Sequence, residues 1–261
     1  MQPDFFGATA VVNIGKSAAG VIKLVIQAID TKQAALFVDF PPAEAGSGKI
    51  LIEDGEYASE NYYGMIIGPN ATVTMCACEV HGGNNSGPGF PGVGLIYGGV
   101  LNMAGGNIVG ADTNEEYEHF GAGLLLYPDA STYPTATITG GTITGGSFLL
   151  EDGNYYSISM YAGNMTTVHL AGGNLSGDLY VESEATIFVY GEKYLSYENG
   201  LLAGKLCDGS ELGVGGLLVY GGGNVELMDC SDAPKIEECG KKAKSGKGDA
   251  VHRARQKAAS N

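Results

Sequence analysis

The sequence lacks tryptophan, and no lysine or arginine occurs between Lys49 and Lys193. Both arginines, Arg253 and Arg255, fall in the last 22 residues. Through residue 239, seven lysines stand against 28 Asp and Glu, whereas residues 240–261 carry seven Lys and Arg and one Asp. An acidic surface of this kind repels nucleic acid and anionic membranes. We therefore expect no nucleic-acid partner and no membrane insertion, with the basic residues 240–261 as the only plausible contact for either.

Long apolar runs are also missing. Lys16, Lys23 and Asp30 interrupt the first apolar stretch, so the sequence predicts neither a signal peptide nor a membrane-inserted segment. If the protein is secreted, this chain would be a mature form or an incomplete gene product.

Only five cysteines are present. Cys76 and Cys78 are two residues apart on a predicted strand, which puts them on one face. This spacing suits two stacked thiols, or one separate partner for each cysteine, better than a zinc site. Cys230 could pair with Cys239 or with Cys207. The odd number leaves one thiol free or intermolecular, and the set favours an oxidising compartment.

What the chain has in excess is glycine, 43 of 261 residues, together with a tyrosine that returns about every 30 residues. The recurring positions are Tyr97, Tyr127, Tyr161, Tyr190 and Tyr220, with Ile67 one step earlier. Self-similarity at this period indicates stacked repeats, each of which buries its apolar face against its neighbours.

Each repeat reads as a short apolar strand, a glycine, proline or alanine turn, and a second β-branched strand. A Gly-Gly pair usually follows, just before Asn107, Thr142 and Asn174, where a turn needs positive φ. Such short strands and glycine turns predict an all-β, right-handed parallel β-helix, a solenoid of about six coils with three strands per coil.

The two ends of the chain read differently from the middle. Residues 17–29 carry apolar residues at helical spacing after Ser17, a candidate N-cap, and predict a short capping helix. We therefore divide the chain into an N-terminal cap (1–48), the coils (49–239) and a basic tail (240–261). The tail is predicted to be disordered or a charged helix.

Three segments resemble the opening of right-handed β-helix proteins of the pectate-lyase-like superfamily. They are "GVIKLVIQAID" (20–30), "KILIEDGEY" (49–57) and "GMIIGPNATVTM" (64–75), and "FLLEDGNY" (148–155) repeats the second of them. The resemblance implies a capping helix that leads into a first strand ending in Asp-Gly-x-Tyr. It also implies a protein that acts on or binds polysaccharide.

The catalytic groups of that superfamily are not evident in the coils. Its lyases use an arginine base beside Ca²⁺ and its methylesterases use two Asp and an Arg, yet both arginines here lie in the tail. The paired Asp and nearby His of its hydrolases are also not seen. We expect a non-catalytic member and keep a polysaccharide hydrolase or lyase as the alternative.

One acidic segment, residues 111–120, offers a candidate metal site. Asp112, Asn114, Glu116 and Glu118 alternate with other residues, so a loop could turn their oxygens toward Ca²⁺, although no EF-hand pattern is present. Glu118 and His119 are the weak candidates for acid and base. A solvated acidic loop is the plainer interpretation.

Four sequons place candidate N-glycosylation sites at Asn70, Asn84, Asn164 and Asn174. Asn and Thr are also common in turns of this kind, so part of the excess can arise from the fold alone.

The recurring tyrosines are the main functional hypothesis. An aliphatic residue precedes each one, so strand alternation predicts that the tyrosines point outward in one column. Such a column would bind sugar rings or be covered by another segment or subunit. We therefore expect an extracellular or cell-surface protein that binds or organises polysaccharide, with a homo-oligomer through the tyrosines as a further partner. An ice-binding surface is a third hypothesis, prompted by Thr72, Thr74, Thr137, Thr139, Thr142 and Thr144, but the regular T-x-T pattern does not persist through all coils.

Overall fold

The computed structural model describes residues 10–16, 22–28, 34–38, 48–69, 71–84, 89–113, 121–149, 155–213, 216–237 and 239. Within these residues, the regular structure comprises twenty-two strands and one 3-10 turn (Cys230–Asp232). The strands are β1 (Ala10–Lys16), β2 (Ile22–Ala28), β3 (Leu36–Val38), β4 (Gly48–Ile52), β5 (Gly55–Ser59), β6 (Met65–Ile67), β7 (Ala71–Met75), β8 (Cys78–His81), β9 (Val93–Ile96), β10 (Val100–Met103), β11 (Asn107–Val109), β12 (Leu124–Tyr127), β13 (Thr135–Thr144), β14 (Ser147–Leu149), β15 (Tyr155–Ala162), β16 (Thr167–Ser176), β17 (Asp178–Val181), β18 (Thr186–Gly191), β19 (Ser196–Glu198), β20 (Leu201–Ala203), β21 (Leu217–Tyr220) and β22 (Asn224–Asp229). The prediction of an all-β chain is confirmed.

Most strands pair in parallel with strands one repeat away. The first sheet has twelve strands and joins two ladders: β4-β7-β10-β13-β16-β18-β22, and β1-β2-β5-β8-β11-β13. The long strand β13 belongs to both, because its first half pairs with β10 and its second half with β11. The second sheet has ten strands in the order β19-β20-β21-β17-β15-β12-β9-β6-β3, with β14 paired to β15.

The core lies on the inner sides of these ladders. On the first ladder, Val73 pairs with Leu101, Leu101 with Ala136, and the column continues through Val168 and Ile187. All five side chains are fully buried. Alternate residues on the same strands, such as Thr72 and Thr135, face outward and stay partly exposed. Alternation of apolar and polar residues thus gives each strand one core side and one outer side.

The predicted N-terminal capping helix is wrong. Residues 22–28 form strand β2, which pairs antiparallel with β1 and parallel with β5. The segment is rich in β-branched residues, namely Ile22, Val25 and Ile26, which favour a strand. Pairing with β5 satisfies the backbone of this segment, so it extends the sheet. Residues 17–21 and 29–30 lie outside the described residues.

Two disulfides form, Cys76–Cys239 and Cys207–Cys230. Of the two partners considered for Cys230, the pairing with Cys207 is therefore confirmed and the pairing with Cys239 is wrong. Cys76 and Cys78 do not share a face, since Cys78 is buried in the core whereas Cys76 sits at the turn after β7. Burial raises the pKa of the Cys78 thiol to about 12, so this thiol stays protonated at neutral pH.

We predict one titratable thiol per chain when unreduced protein from an oxidising source is denatured. That thiol belongs to Cys78, because the other four cysteines are paired. Reaction with a chromogenic disulfide in denaturant measures the number directly. Three or five thiols would contradict the pairing.

No helix among the described residues is long and apolar enough to cross a membrane.

Candidate functional site

The second sheet carries an apolar column on its outer side. Pairing aligns Ile66 with Gly94, Gly94 with Leu125, Leu125 with Tyr161, Tyr161 with Tyr180 and Tyr180 with Tyr220. Ile66, Leu125 and Tyr161 are buried, although they point away from the core. Other side chains of the chain must therefore cover this column.

A small second apolar cluster provides that cover. It comprises buried Ala122, Leu125, Ile158 and Tyr161, with Tyr63, Tyr156 and Tyr180 packed against it. The rings of Tyr161 and Tyr180 are stacked, with centroids 4.9 Å apart and planes 3° from parallel. The Tyr161 hydroxyl donates to Glu182 Oε1. Because its ring faces and hydroxyl already have partners within the chain, Tyr161 is a structural residue.

Tyr190 does not belong to this column. It lies on β18 in the first sheet, opposite Met228, and is 5% exposed. Its hydroxyl lies 2.9 Å from Nδ1 of His169, and burial lowers the pKa of that histidine. The expectation of one outward column of five tyrosines is therefore wrong in its geometry.

Tyr220 is partly exposed. Tyr97 and Tyr127 are the most exposed of the five. Their exposed fractions are 42% and 48%. The two residues lie at the same end of neighbouring strands, where the Tyr97 amide donates to the Tyr127 carbonyl at 3.0 Å. Tyr97 has a φ of 52°, a left-handed conformation rare for a large side chain. Tyr97 occupies the tight turn closed by the hydrogen bond from the Gly99 amide to the Ile96 carbonyl, and this turn presents its ring to solvent.

Two further tyrosines and a phenylalanine lie beside this exposed pair. Tyr62 contacts Tyr63 at a centroid distance of 4.9 Å, and Phe90 contacts them at 4.8 Å and 5.6 Å respectively. The Tyr63 ring lies directly over Gly94, where a Cβ atom would come within 2.7 Å of it. A glycine in β9 thus makes room for an aromatic ring on the outer side of the sheet.

We call Tyr62, Tyr63, Phe90, Tyr97 and Tyr127 the tyrosine cluster. Burial raises the pKa of Tyr62 and of Tyr63, and the nearby phenols, including Tyr97, add to both shifts. The phenols of Tyr62 and Tyr63 are therefore neutral at physiological pH. Flat neutral rings with hydroxyl groups are suited to stacking on sugar rings and to hydrogen bonds with their hydroxyls.

The sequence pattern missed several members of this surface. Tyr62 and Tyr63 stand together just before β6, and Phe90 and Tyr156 fall outside the 30-residue period. The adjacent tyrosines in "NYYG" were the available signal, because two consecutive large aromatic residues beside a strand must find cover or a ligand.

The candidate calcium site falls largely outside the described residues, which leave out Asn114, Glu116, Glu118 and His119. Asp112 is described, and its Oδ1 accepts from the Ser147 amide at 2.7 Å. This carboxylate therefore ties its loop to the start of β14. Within the described part of the chain, no group of three or more His, Cys, Asp or Glu could hold a metal ion.

The described sequon asparagines are all at the surface. Asn84, Asn164 and Asn174 are exposed, and Asn84 donates to the Asp112 carbonyl at 2.7 Å. Asn70 lies outside the described residues.

A groove near the last strands contains charged groups of both signs. Glu192, Tyr194, Lys205 and Glu211 line it. Lys205 Nζ lies 3.4 Å from Glu211, so this cation already has a carboxylate partner.

Comparison with family models, with curated proteins and with solved structures gave no match.

Proposed function

We propose that the chain is a right-handed parallel β-helix related to the pectate-lyase-like superfamily. Successive strands return to the same ladder in parallel register, for example Met65 to Val93 and Val93 to Leu124. Core residues stack in columns along those ladders. Both features are what a coil with one strand on each ladder produces. Small-angle scattering should show an elongated particle if the coils stack along one axis.

We propose that the protein binds neutral polysaccharide outside the cell through the tyrosine cluster, without cleaving it. The observation that carries this proposal is the pair of solvent-exposed rings, Tyr97 and Tyr127, with the mutually packed rings of Tyr62, Tyr63 and Phe90 nearby. Rigid aromatic platforms bind ligands with little loss of side-chain entropy.

The charge of the chain selects the class of glycan. With no lysine or arginine between Lys49 and Lys193, no fixed cation lies within that stretch to receive a uronate or sulfate group. The acidic residues there would repel such groups. Hydroxyl-rich neutral chains avoid this repulsion and gain from ring stacking.

We predict that Tyr97→Ala and Tyr127→Ala each weaken binding of a neutral glycan by about 2- to 12-fold, the loss of one aromatic contact worth about 0.5–1.5 kcal/mol. A glycan array would identify the ligand, and isothermal titration calorimetry would measure the affinities. Tyr194→Ala is the matched control, because Tyr194 is 82% exposed and lies outside the cluster. Equal weakening in the control, or no weakening in either cluster variant, would refute this site.

We also predict no cleavage of polygalacturonate or alginate, with or without calcium. A lyase must offset the substrate carboxylate while it removes a neighbouring proton, and a coil surface without cations does the opposite unless Ca²⁺ supplies the charge. Absorbance of unsaturated uronate reports the reaction. Calcium-dependent product release that Glu116→Ala or Glu118→Ala abolishes would establish a lyase instead.

A further inference from the structure

The C-terminal end of the described chain crosses the outside of the first sheet. Residues Cys230 to Cys239, which we call the strap, begin directly after β22. Cys230 is bonded to Cys207, and Cys239 is bonded to Cys76 at the end of β7. The strap is therefore tied at both ends by disulfides.

The distance between those ends requires an extended chain. From β22 to β7 the ladder passes through β18, β16, β13 and β10. Five strand spacings of about 4.8 Å amount to about 24 Å. Nine residues reach at most about 30 Å when fully extended. The strap thus has little slack, and its residues 233–237 form no helix or strand.

The strap lies close to the sheet at both of its ends. At its start it passes near Tyr190, which points away from the core and yet is only 5% exposed. The Asp232 carboxylate is close enough to contribute to the raised pKa of Tyr190. At the other end, the Cys239 sulfur lies 3.7 Å from the Met75 carbonyl.

The strap is not part of the core. The core cluster includes residues of the ladders and of the segment from Leu195 to Leu217, but no residue beyond Val225. The strap residues Ser231, Asp232 and Lys235 are exposed. Release of the strap would therefore leave the ladders and their core intact.

We propose that Cys76–Cys239 is a redox latch, whose reduction releases the strap from the first sheet while the coils stay folded. A dithiol reductant would attack the disulfide through its thiolate and form a mixed disulfide. Its second thiol would then close a new disulfide within the reductant. Two electrons and two protons pass to the protein, which leaves Cys76 and Cys239 as thiols. Cys207–Cys230 keeps the start of the strap beside β22 in the Cys239→Ser variant.

The latch also fixes the place of Cys239, the last described residue before the basic segment 240–261. While it is closed, the chain leaves the sheet beside Cys76. Once it is open, that point is free to move by the length of the strap.

Limited trypsin digestion tests the proposal sharply, because Lys235 is the only trypsin site between Lys205 and Lys241. Cleavage needs several residues of mobile chain around the bond. We expect the bond after Lys235 to be cut at least 10-fold faster in Cys239→Ser than in the oxidised wild type. Cleavage after Lys205 is the internal control and should be unchanged. Ser231→Ala, which keeps the latch closed, should behave as wild type.

Mass spectrometry of quenched, fully reduced samples gives each cleavage rate, and far-ultraviolet circular dichroism reports the fold. Equal cleavage after Lys235 in wild type and Cys239→Ser overturns the proposal. Loss of the β-sheet spectrum in Cys239→Ser also overturns it, since the disulfide would then hold the fold itself. As a second measurement, mild dithiol treatment of wild type followed by alkylation should label Cys76 and Cys239 while the spectrum is retained. Labelling only after the spectrum is lost contradicts a latch.

Discussion

Gly141→Ala is expected to lower the free energy of unfolding by about 3 kcal/mol, from a strained left-handed residue together with a clash. Gly141 has a φ of 94°, which side chains rarely adopt. A Cβ atom there would lie 2.5 Å from Met103 Cε and 2.7 Å from the Gly106 carbonyl oxygen. Denaturant unfolding followed by circular dichroism measures the change.

Two other glycines separate the causes of that effect. Gly209 has a φ of 85°, but nothing lies within 4 Å of its Cβ position, so Gly209→Ala should show the cost of the backbone alone. Gly222 has neither a positive φ nor a neighbour closer than 3.7 Å, so Gly222→Ala should change stability by less than about 1 kcal/mol. If all three variants lost the same stability, tight packing at Gly141 would not be the reason.

The Gly-Gly pairs in the sequence predicted where the turns lie, but they did not predict why each glycine of a pair is needed. The prediction of positive φ before Asn107, Thr142 and Asn174 is confirmed at Gly106, Gly141 and Gly173. The preceding glycine of a pair is needed for another reason. At Gly105 a Cβ atom would lie 2.3 Å from the Cys76 carbonyl oxygen, because the backbone of the turn after β7 passes directly beside it. Such a close approach depends on the stacking, so sequence alone does not reveal it.

The tyrosine period predicted repeats, yet it did not predict their register. Tyr161 pairs with Tyr180, which follows after 19 residues, and not with Tyr190. Loops of different length separate the strands, so residues 30 apart in sequence do not always meet on one ladder. Strand alternation also failed to predict exposure, since it takes no account of side chains such as Tyr63 and Tyr156 that cover the outer side.

Disulfide partners and the N-terminal strand were hard to predict for a related reason. Cys76 and Cys239 are 163 residues apart, and only the folded coils bring them together. The segment around β2 has apolar residues compatible with both helical and strand spacing over a short stretch. Its pairing with β5, a long-range interaction, decides in favour of a strand.

Tyr161→Ala is expected to cost about 3–5 kcal/mol, the range for removal of a large buried aromatic side chain. The substitution removes the stack on Tyr180 and leaves Glu182 without its phenol donor. Tyr127→Ala should cost less than about 1 kcal/mol, because its ring is 48% exposed, although the two tyrosines occupy the same place in the sequence repeat. Tyr161→Phe keeps the stack and should cost about 1–3 kcal/mol for the lost hydrogen bond to a carboxylate. Thermal and denaturant unfolding measure the stability of the three variants, and glycan titration measures their affinity. We expect the Tyr161 variants to lose more stability than Tyr127→Ala, and Tyr127→Ala to lose more glycan affinity than the Tyr161 variants. A Tyr127→Ala variant as unstable as Tyr161→Ala would mean that the exposed tyrosines support the fold and are not free for a ligand.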